Sequence, residues 1–466
     1  MNSYRNNRRD FLKKIGYSSL AAGTAVSTLN AKQVYELRPS RQEKRTYSAN
    51  DRIRMAFIGC GIQGINNARS ARKINGVEIA AACDLYTGRL TRMNEVFGKD
   101  VITTKNYVEI LERSDIDAVC ISTTDHWHDH MVKAALKAGK AVYCEKPMMH
   151  RIEEGISMVA AEKEANLPVQ IGSQYASALD TLKAKELFES GAIGQLILAE
   201  IIYDRNTSNG AWQYSIPTDA NDGTVDWESF IGDAPNRPYD PVRFFRWRNY
   251  GEYGTGVAGD LFVHLFTQLH VITSSVGPEK IYATGGLRFW KDGRDAPDIT
   301  LGLYDYPETA AHPAFNVQMR VNFVDGGGGG SSIKLIGSEG TMTLGWENIV
   351  VRKNPVQTAL TYGGWDSYGT FSKSQQKDYV EWFKATYPDP KPTMLDPAEE
   401  VYTIPRGYSS HVEHWQNFIN GVRDSAPIVE DTTFGLRAAG PALATNESMT
   451  QNKIIHWNPV DMKLSV

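Results

Sequence analysis

The sequence has few cysteines, little net charge and no obvious membrane span. Its four cysteines are too few to staple a chain of 466 residues, and none forms a CxxC pair, so neither a disulfide framework nor a cysteine metal site is indicated. The 50 basic and 54 acidic residues give a net charge of −4, which leaves no overall positive field for a phosphate backbone. We therefore expect a folded protein with no nucleic-acid partner and no metal.

The first thirty residues differ in character from the rest of the chain. Residues 8–13 read RRDFLK, and a mildly apolar stretch at 15–29 follows that is too short to span a bilayer comfortably. This pattern resembles a twin-arginine export signal. The resemblance implies a signal peptide at 1–31, a polar linker at 32–50, and export to the periplasm without a stable membrane span.

A glycine motif opens the part of the chain beyond the linker. The apolar strand Ile53–Ile58 leads into GCGIQG at 59–64, then a helical segment, a second strand at Val77–Cys83, and Asp84 twenty residues after the last glycine. In that context the motif predicts a Rossmann dinucleotide site, with the pyrophosphate on the helix N-terminus. The Asp84 carboxylate would accept hydrogen bonds from the ribose hydroxyls and repel a 2′-phosphate, so NAD is favoured over NADP. The predicted contacts here are Gly59, Gly61, Ile62, Gln63, Gly64 and Asp84.

The alternation of strands and helices continues to the end of this domain. A buried strand at 116–122 is followed by three histidines within 126–130, and their spacing on a helix does not aim all three at one ion. Parallel sheets bind ligands at the carboxyl ends of their strands, so cofactor contact is the favoured interpretation. The further predicted cofactor contacts are Thr123, Thr124, His126, Trp127, His128, Glu145, Lys146 and Gln174.

Three short motifs carry a family resemblance. TTDHWH at 123–128, AALKAGK at 134–140 and EKP at 145–147 resemble the Gfo/Idh/MocA oxidoreductases, whose pattern is T-P-x-x-x-H, A-L-x-A-G-K-H-V and E-K-P. The Lys–Pro bond of the last motif is a candidate cis peptide. The resemblance implies an NAD-binding Rossmann domain followed by a substrate domain.

The second part of the chain is rich in β-structure. Segments between 196 and 351 predict an open, largely antiparallel sheet, and the glycine run at 325–332 predicts a flexible hairpin connection. We predict an α/β Rossmann domain at 51–172 and an α+β domain for substrate binding and oligomerisation at 173–466. We expect the segment 408–466 to pack back on the first domain, and the open sheet to pair copies as a homodimer or homotetramer.

One helix of the second domain, predicted at 259–271, is apolar on nearly all faces and therefore buried. Asp260, His264 and Gln268 are four residues apart and would form one polar line on it, facing either an internal network or a ligand cleft. The family resemblance favours the cleft. In the sugar and polyol dehydrogenases of that family, an Asp-x-x-x-His pair accompanies the lysine of the EKP motif, which corresponds to Lys146 in this sequence.

These residues suit the oxidation of a secondary alcohol. His264 would take the hydroxyl proton, Asp260 would orient the imidazole, and Lys146 would bind the reacting oxygen. Stacking faces and forked donors suit a carbohydrate, and Arg248 and Tyr253 are the predicted further substrate contacts.

Three functions follow from the sequence. The first is an NAD-dependent oxidoreductase acting on a hydroxyl of a sugar, polyol or glycoside. The second is a redox-neutral glycosidase, in which transient oxidation acidifies a neighbouring C–H bond and permits elimination. The third is a non-catalytic sugar sensor. Export would favour a tightly held nucleotide, since little free NAD exists outside the cytoplasm.

Overall fold

The computed structural model describes residues 33–39, 47–358, 360–388 and 398–465, so the predicted export signal lies outside the described residues. Within those ranges, no helix combines the length and hydropathy needed to cross a bilayer. The strands are β1 (Gln33–Glu36), β2 (Ile53–Ile58), β3 (Val77–Cys83), β4 (Ile102–Thr104), β5 (Ala118–Ile121), β6 (Ala141–Cys144), β7 (Val169–Ile171), β8 (Leu196–Asp204), β9 (Lys280–Gly286), β10 (Ile299–Tyr306), β11 (Phe315–Asn322), β12 (Gly330–Gly337), β13 (Gly340–Leu344), β14 (Asn348–Lys353), β15 (Ala398–Thr403), β16 (Ile455–Asn458) and β17 (Lys463–Leu464).

The helices alternate with the strands in the first domain and cover the sheet in the second. They are α1 (Ile62–Ala71), α2 (Thr87–Phe97), α3 (Tyr107–Leu111), α4 (His128–Lys137), α5 (Ile152–Ala165), α6 (Leu179–Glu189), α7 (Trp227–Ile231), α8 (Pro241–Phe245), α9 (Val263–Thr273), α10 (Lys373–Thr386), α11 (Ser410–Asp424) and α12 (Thr432–Gln451). Short 3₁₀ turns at Asp125–Trp127 and Gln174–Ser177 and a π-helical turn at Ala258–Phe262 lie near the site described below.

The first sheet is parallel throughout, with the strand order β4-β3-β2-β5-β6-β7. Its central strands are apolar runs buried on both faces, as expected for a parallel sheet covered by helices. This arrangement confirms the predicted Rossmann fold.

The second sheet has eleven strands in the order β1-β15-β14-β13-β12-β8-β11-β10-β9-β16-β17. Its pairs are antiparallel except β1 with β15 and β8 with β11. In β10 and β11 buried and exposed residues alternate, so one face packs on the core and the other faces solvent. The predicted large, mostly antiparallel sheet is confirmed.

Two local predictions are wrong. Residues 33–36 fall within the predicted linker but form β1, because their backbone pairs with the open edge of β15. The glycine run at 325–332 is not a hairpin connection. It joins β11 to β12, and β8 lies between those two strands in the sheet, so the chain there passes over the end of β8.

Two helices tie the layers together. Every residue of α9 is buried, and the helix packs against α6 and α12. Helix α11, from the predicted C-terminal segment, packs against α1 of the Rossmann domain. Its Trp415 is fully buried and stacks on Tyr143 of β6, with 4.1 Å between the ring centroids. Part of the Rossmann core is therefore supplied by residues far along the chain.

Candidate active site

A cavity of about 700 Å³ lies where the carboxyl ends of the Rossmann strands meet the second domain. This volume is typical of small-molecule and cofactor sites. Predicted site residues that line the cavity are Gly59, Gly61, Ile62, Gln63, Asp84, Thr123, Thr124, Trp127, His128, Glu145, Lys146, Gln174, Arg248, Asp260 and His264. The structure thus brings together residues that lie up to two hundred positions apart in the sequence.

The glycine turn forms one wall of the cavity. Gly59 has φ +85°, and a Cβ on it would lie 2.5 Å from the carbonyl oxygen of Ser122. Helix α1 begins at Ile62, and its N-cap Gly61 provides no side-chain cap, so the first-turn N–H groups remain available to an anion. The prediction for Gly64 as a cofactor contact is wrong. It does not line the cavity, because it packs on the carbonyl of Gly59, where a Cβ would approach to 1.8 Å.

Asp84 is held rigidly at the end of β3. Its carboxylate accepts hydrogen bonds from the N–H groups of Cys60, at 2.7 Å, and Tyr86, at 2.9 Å. The guanidinium of Arg89 lies 3.5 Å from the same carboxylate and over the ring of Phe245. Glycine turn, uncapped helix N-terminus and acidic residue all face one cavity, so the residues present fit a dinucleotide.

The three histidines of the DHWHDH segment point to separate partners. His126 lies with its Nε2 3.0 Å from the carbonyl of Phe230, and His128 with its Nδ1 2.7 Å from that of Pro147. His126, a predicted cofactor contact, is not among the residues that line the cavity. Burial lowers the pKa of His126 to about 4, so the ring is neutral near neutral pH. The following residue, Trp127, lines the cavity and donates its indole N–H to the same Phe230 carbonyl.

A segment of the second domain, residues 219–232, crosses over the nucleotide end of the cavity, and we call it the strap. Tyr86 pairs with Val225 in an isolated β-bridge and donates its hydroxyl to Asp219 at 2.5 Å. The N–H of Asp226 donates to the carbonyl of Leu85 at 2.9 Å. Strap residues that line the cavity are Asp226, Ser229, Phe230 and Gly232. The strap therefore covers the cavity while bonded to the chain that carries Asp84.

Lys146 and Asp260 join the two domains at the other end of the cavity. The Lys146 Nζ donates to the Asp260 carbonyl at 2.7 Å and to its carboxylate Oδ1 at 2.8 Å, and the Arg248 Nε donates to the same oxygen at 3.1 Å. Burial by itself would raise the pKa of Asp260, but the charges of Lys146 and Arg248 outweigh it and hold that pKa below its usual value. The Lys146–Pro147 bond is cis, as predicted.

Asp260 does not orient His264, and that prediction is wrong. The π-helical turn at 258–262 disrupts the four-residue stacking, and the Asp260 carboxylate turns to the two cations instead. The buried Nδ1 of His264 has no hydrogen-bond partner among the described residues, while the ring lies edge-on to Tyr175. Burial lowers the pKa of His264 well below its usual value, and the charge of Lys146 lowers it further, so the imidazole is neutral.

Gln268 and Tyr253 are the two remaining residues that the sequence singled out, and neither lines the cavity. Gln268, the third residue of the predicted polar line, donates to Thr181 and belongs to an internal network. The prediction of Tyr253 as a substrate contact is wrong. The residue is fully buried and does not line the cavity, because its ring packs against Phe230 with a centroid distance of 4.8 Å.

Sequence reasoning missed several residues of the cavity wall. Asp125 lies four residues beyond the carboxyl end of β5, where a parallel sheet binds its ligands, and Arg205 directly follows β8 of the second sheet. These positions were the available signal. The others lie on α2, on β8, in loops and on α11, where no pattern marks them. The missed residues are Arg89, Asp125, Tyr175, Tyr203, Arg205, Trp212, Tyr214 and His411.

Comparison with known proteins agrees with this geometry. Residues 53–173 match the Gfo/Idh/MocA oxidoreductase family, which has an NAD-binding Rossmann fold. A glycosyl hydrolase family 109 protein of Shewanella baltica is 28% identical over 209 residues, which cover 42% of this chain and 45% of that protein. Inositol 2-dehydrogenase 3 of Saccharopolyspora erythraea is 30% identical over 157 residues, which cover 33% of this chain and 46% of that protein. The chain thus spans less than half the length of these curated relatives.

Solved structures resemble this chain over both domains and not over the Rossmann domain alone. The structure of levoglucosan dehydrogenase in complex with NADH and levoglucosan superposes with a TM-score of 0.60 at 17% identity, covering 87% of this chain and 99% of that one. At this identity the likeness concerns the fold. The motifs, the cavity and the match over residues 53–173 agree that the first domain of this chain is similar to the NAD-binding Rossmann domain of the Gfo/Idh/MocA oxidoreductases.

Proposed function

We propose that the protein is an NAD-dependent oxidoreductase that oxidises or reduces a secondary hydroxyl of a sugar, polyol or glycoside by hydride transfer. One observation carries the proposal. Lys146 from the Rossmann domain and His264 from the second domain face the same cavity as the glycine turn. A substrate between them would contact a cation, a neutral base and the reactive end of a dinucleotide at once.

The cofactor supplies the hydride acceptor, and the side chains of this chain handle the proton and the charge. The neutral imidazole of His264 accepts the proton of the substrate hydroxyl as the C–H hydride leaves. The ammonium of Lys146 donates to the same oxygen and stabilises the negative charge that develops on it. Asp260 fixes the position of Lys146 through two hydrogen bonds, so it is a positioning residue.

The substrate class follows from the cavity wall and the relatives. Trp212, Tyr214 and Trp247 line the cavity beside Arg248, and aromatic rings with a planar donor are a combination that suits a carbohydrate. Relatives named for inositol and levoglucosan support the same class.

The first test uses purified protein with free sugars, polyols and aryl glycosides, following nicotinamide absorbance and aglycone release together. We expect a change in absorbance with at least one compound.

Lys146→Gln should lower kcat by about two to three orders of magnitude, because one charge-stabilising donor is lost, and should leave bound nucleotide unchanged. Lys185→Gln is the control, since Lys185 lies on the surface in an i,i+4 pair with Glu189. Full activity in Lys146→Gln would remove this residue from the mechanism.

A redox-neutral glycosidase is the second candidate. Aglycone release with no net absorbance change would identify it. One relative carries the glycosyl hydrolase family 109 name. The cavity also contains Asp125, whose pKa burial raises to about 6, so the carboxyl group can act as an acid near neutral pH. Binding of sugars with neither signal would instead indicate a sensor.

We further propose that the protein is exported by the twin-arginine route and keeps its nucleotide bound through turnover. The RRDFLK segment supports export. The strap supports retention, because it must detach from Tyr86 and Leu85 before the covered end of the cavity opens. Replacing Arg8 and Arg9 by lysine should keep the protein in the cytoplasm of a bacterium with this pathway. Unchanged export of that variant would contradict the assignment.

We also propose that copies associate through the outer face of the large sheet. Tyr282 on β9 and Leu301 and Leu303 on the adjacent β10 are exposed there, and Ile197 is exposed on β8, two strands from β10. Such an apolar face is typical of a protein interface.

A further inference from the structure

One wall of the cavity, beside Asp260 and His264, carries an arginine that no carboxylate of the described residues pairs with. Residues of this wall from the second domain are Tyr175, Tyr203, Arg205, Trp212, Tyr214 and Arg248. Trp212 holds its place with a left-handed backbone, φ 64°, which is costly for a bulky residue. The rest of the fold must therefore stabilise this backbone conformation, and with it the position of Trp212 in the wall.

Arg205 is held in this wall by groups that do not neutralise it. It follows β8 directly, and its guanidinium lies over the rings of Tyr203, at 5.1 Å, and Phe323, at 5.5 Å. One of its nitrogens donates to the Gly210 carbonyl at 2.9 Å. The adjacent carboxylate, Asp204, is paired with Arg320 instead. Within the described ranges, no carboxylate lies within ion-pair distance of Arg205.

The charge of Arg205 reaches the reacting groups. Burial lowers the pKa of His264, and the cations Lys146 and Arg205 lower it further. For Asp260, burial acts to raise the pKa, while the charges of Lys146, Arg248 and Arg205 lower it. Arg205 therefore acts on the space in which the substrate would sit.

Arg205 is the cation at this end of the cavity that has no ion-pair partner among the described residues. The cations are Lys146, Arg205 and Arg248, and the Asp260 carboxylate is shared between the first and the last of these. The acids Asp125 and Glu145 also line the cavity, and neither pairs with Arg205. Asp125 accepts hydrogen bonds from the N–H and the hydroxyl of Thr255, and Glu145 accepts from the amides of Gln63 and Asn67. A partly buried guanidinium without a counter-charge is unfavourable until an anion binds it, and its planar fork matches a carboxylate or a phosphate.

We propose that the substrate is a carbohydrate carrying an anionic group, a carboxylate or a phosphate, and that Arg205 binds that group. This inference rests on the proposed function, because it names the substrate class of the same site. The anion anchors one end of the sugar while the reacting hydroxyl lies between Lys146 and His264. Arg205 thereby determines which sugars bind.

The test is equilibrium binding by calorimetry to the purified holoprotein at low salt. The probes are matched pairs: glucuronate with glucose, galacturonate with galactose, and glucose 6-phosphate with glucose. We expect at least one anion to bind ten or more times more tightly than its neutral partner, since a charge-assisted pair contributes about 1.5–3 kcal/mol. The pair that shows the preference distinguishes carboxylate from phosphate.

Arg205→Gln should remove this preference and change binding of the neutral sugar less than about twofold, whereas Arg205→Lys should keep part of it because the charge remains. Arg92→Gln, on the exposed side of α2, should retain the full preference. Equal binding of both members of every pair, or no binding of any anion, would overturn the inference. Nicotinamide absorbance is followed separately, so failure of hydride transfer with an intact anion preference would count against the proposed function alone.

Discussion

At the scale of single residues, the site depends on Asp260 bonding two cations at once. Lys146 and Arg248 both donate to its Oδ1, and the side chains of Lys146 and Asp260 are only 10% and 8% exposed. Removing one member of such a buried set leaves an uncompensated charge, which costs about 3–5 kcal/mol. Substitution of Asp260 or Lys146 should therefore affect folding as well as activity, and His264, which is not a member of this set, reports more cleanly on the chemistry.

Asp125 predicts a pH dependence of stability. Burial raises its pKa from 3.8 to about 6, so the folded protein binds a proton more tightly than the unfolded chain does. The folded state is thus penalised as pH rises through 6, by up to about 3 kcal/mol. Asp125→Asn keeps an acceptor for Thr255 and removes the charge. It should raise the thermal midpoint at about pH 8, and the gain should vanish by about pH 4.

The matched control is Asp233→Asn, since the Asp233 side chain is 98% exposed. It should leave the midpoint unchanged across the same range. Thermal unfolding with saturating NAD measures both variants. An Asp125→Asn midpoint that follows the wild type at every pH would show that the carboxyl group titrates as an exposed acid.

At the scale of elements, the proposed retention of the nucleotide depends on the bonds that hold the strap in place. Tyr86→Phe removes the hydroxyl that donates to Asp219 and keeps the ring, which packs edge-on to Phe245. A hydrogen bond to a charged acceptor contributes about 1.5 kcal/mol or more, so NAD release should accelerate roughly tenfold. Chase of bound nucleotide after dilution measures the rate. Tyr282→Phe, on the outer sheet face, should release NAD at the wild-type rate, and equal rates for all three proteins would contradict the role of the strap.

Elements with a strong pattern of their own were predictable, and elements that depend on a distant neighbour were not. The strands β2 and β5 are apolar runs, and β10 alternates, so sequence alone indicated them. In contrast, β1 exists only because β15 offers it an edge. The π-helical turn at 258–262 likewise has no sequence signature, and it decides where Asp260 points.

At the scale of the whole molecule, sequence reasoning gave the two folds and the cavity between them, because the glycine and EKP motifs mark strand ends that must converge. It did not give the strap, Tyr253 as a core residue, or Arg205 in the wall. Each of those depends on contacts between segments that are distant in the sequence. Such contacts form between surfaces that exist only once the chain has folded, so no local sequence pattern indicates them.

The outer sheet face predicts the assembly state. Leu303 is 54% exposed in the middle of β10, next to Tyr282 on β9 and Gln318 on β11. Leu303→Lys places a charge in that face and should shift the protein to a smaller species in light scattering after size exclusion. Lys291→Leu, in a loop beyond the sheet, should keep the wild-type mass. A wild type that is already monomeric would contradict the proposed association.

The packing of α11 on the Rossmann domain constrains the order of events during synthesis. Trp415 and Phe418 complete a core whose first strand begins at Ile53, so a ribosome must make more than 360 further residues before that core can close. A nascent chain with its twin arginines already outside the ribosome still lacks a finished nucleotide site. For an export route that carries folded proteins, we expect the last helices to act as a checkpoint, with prematurely terminated chains retained and degraded.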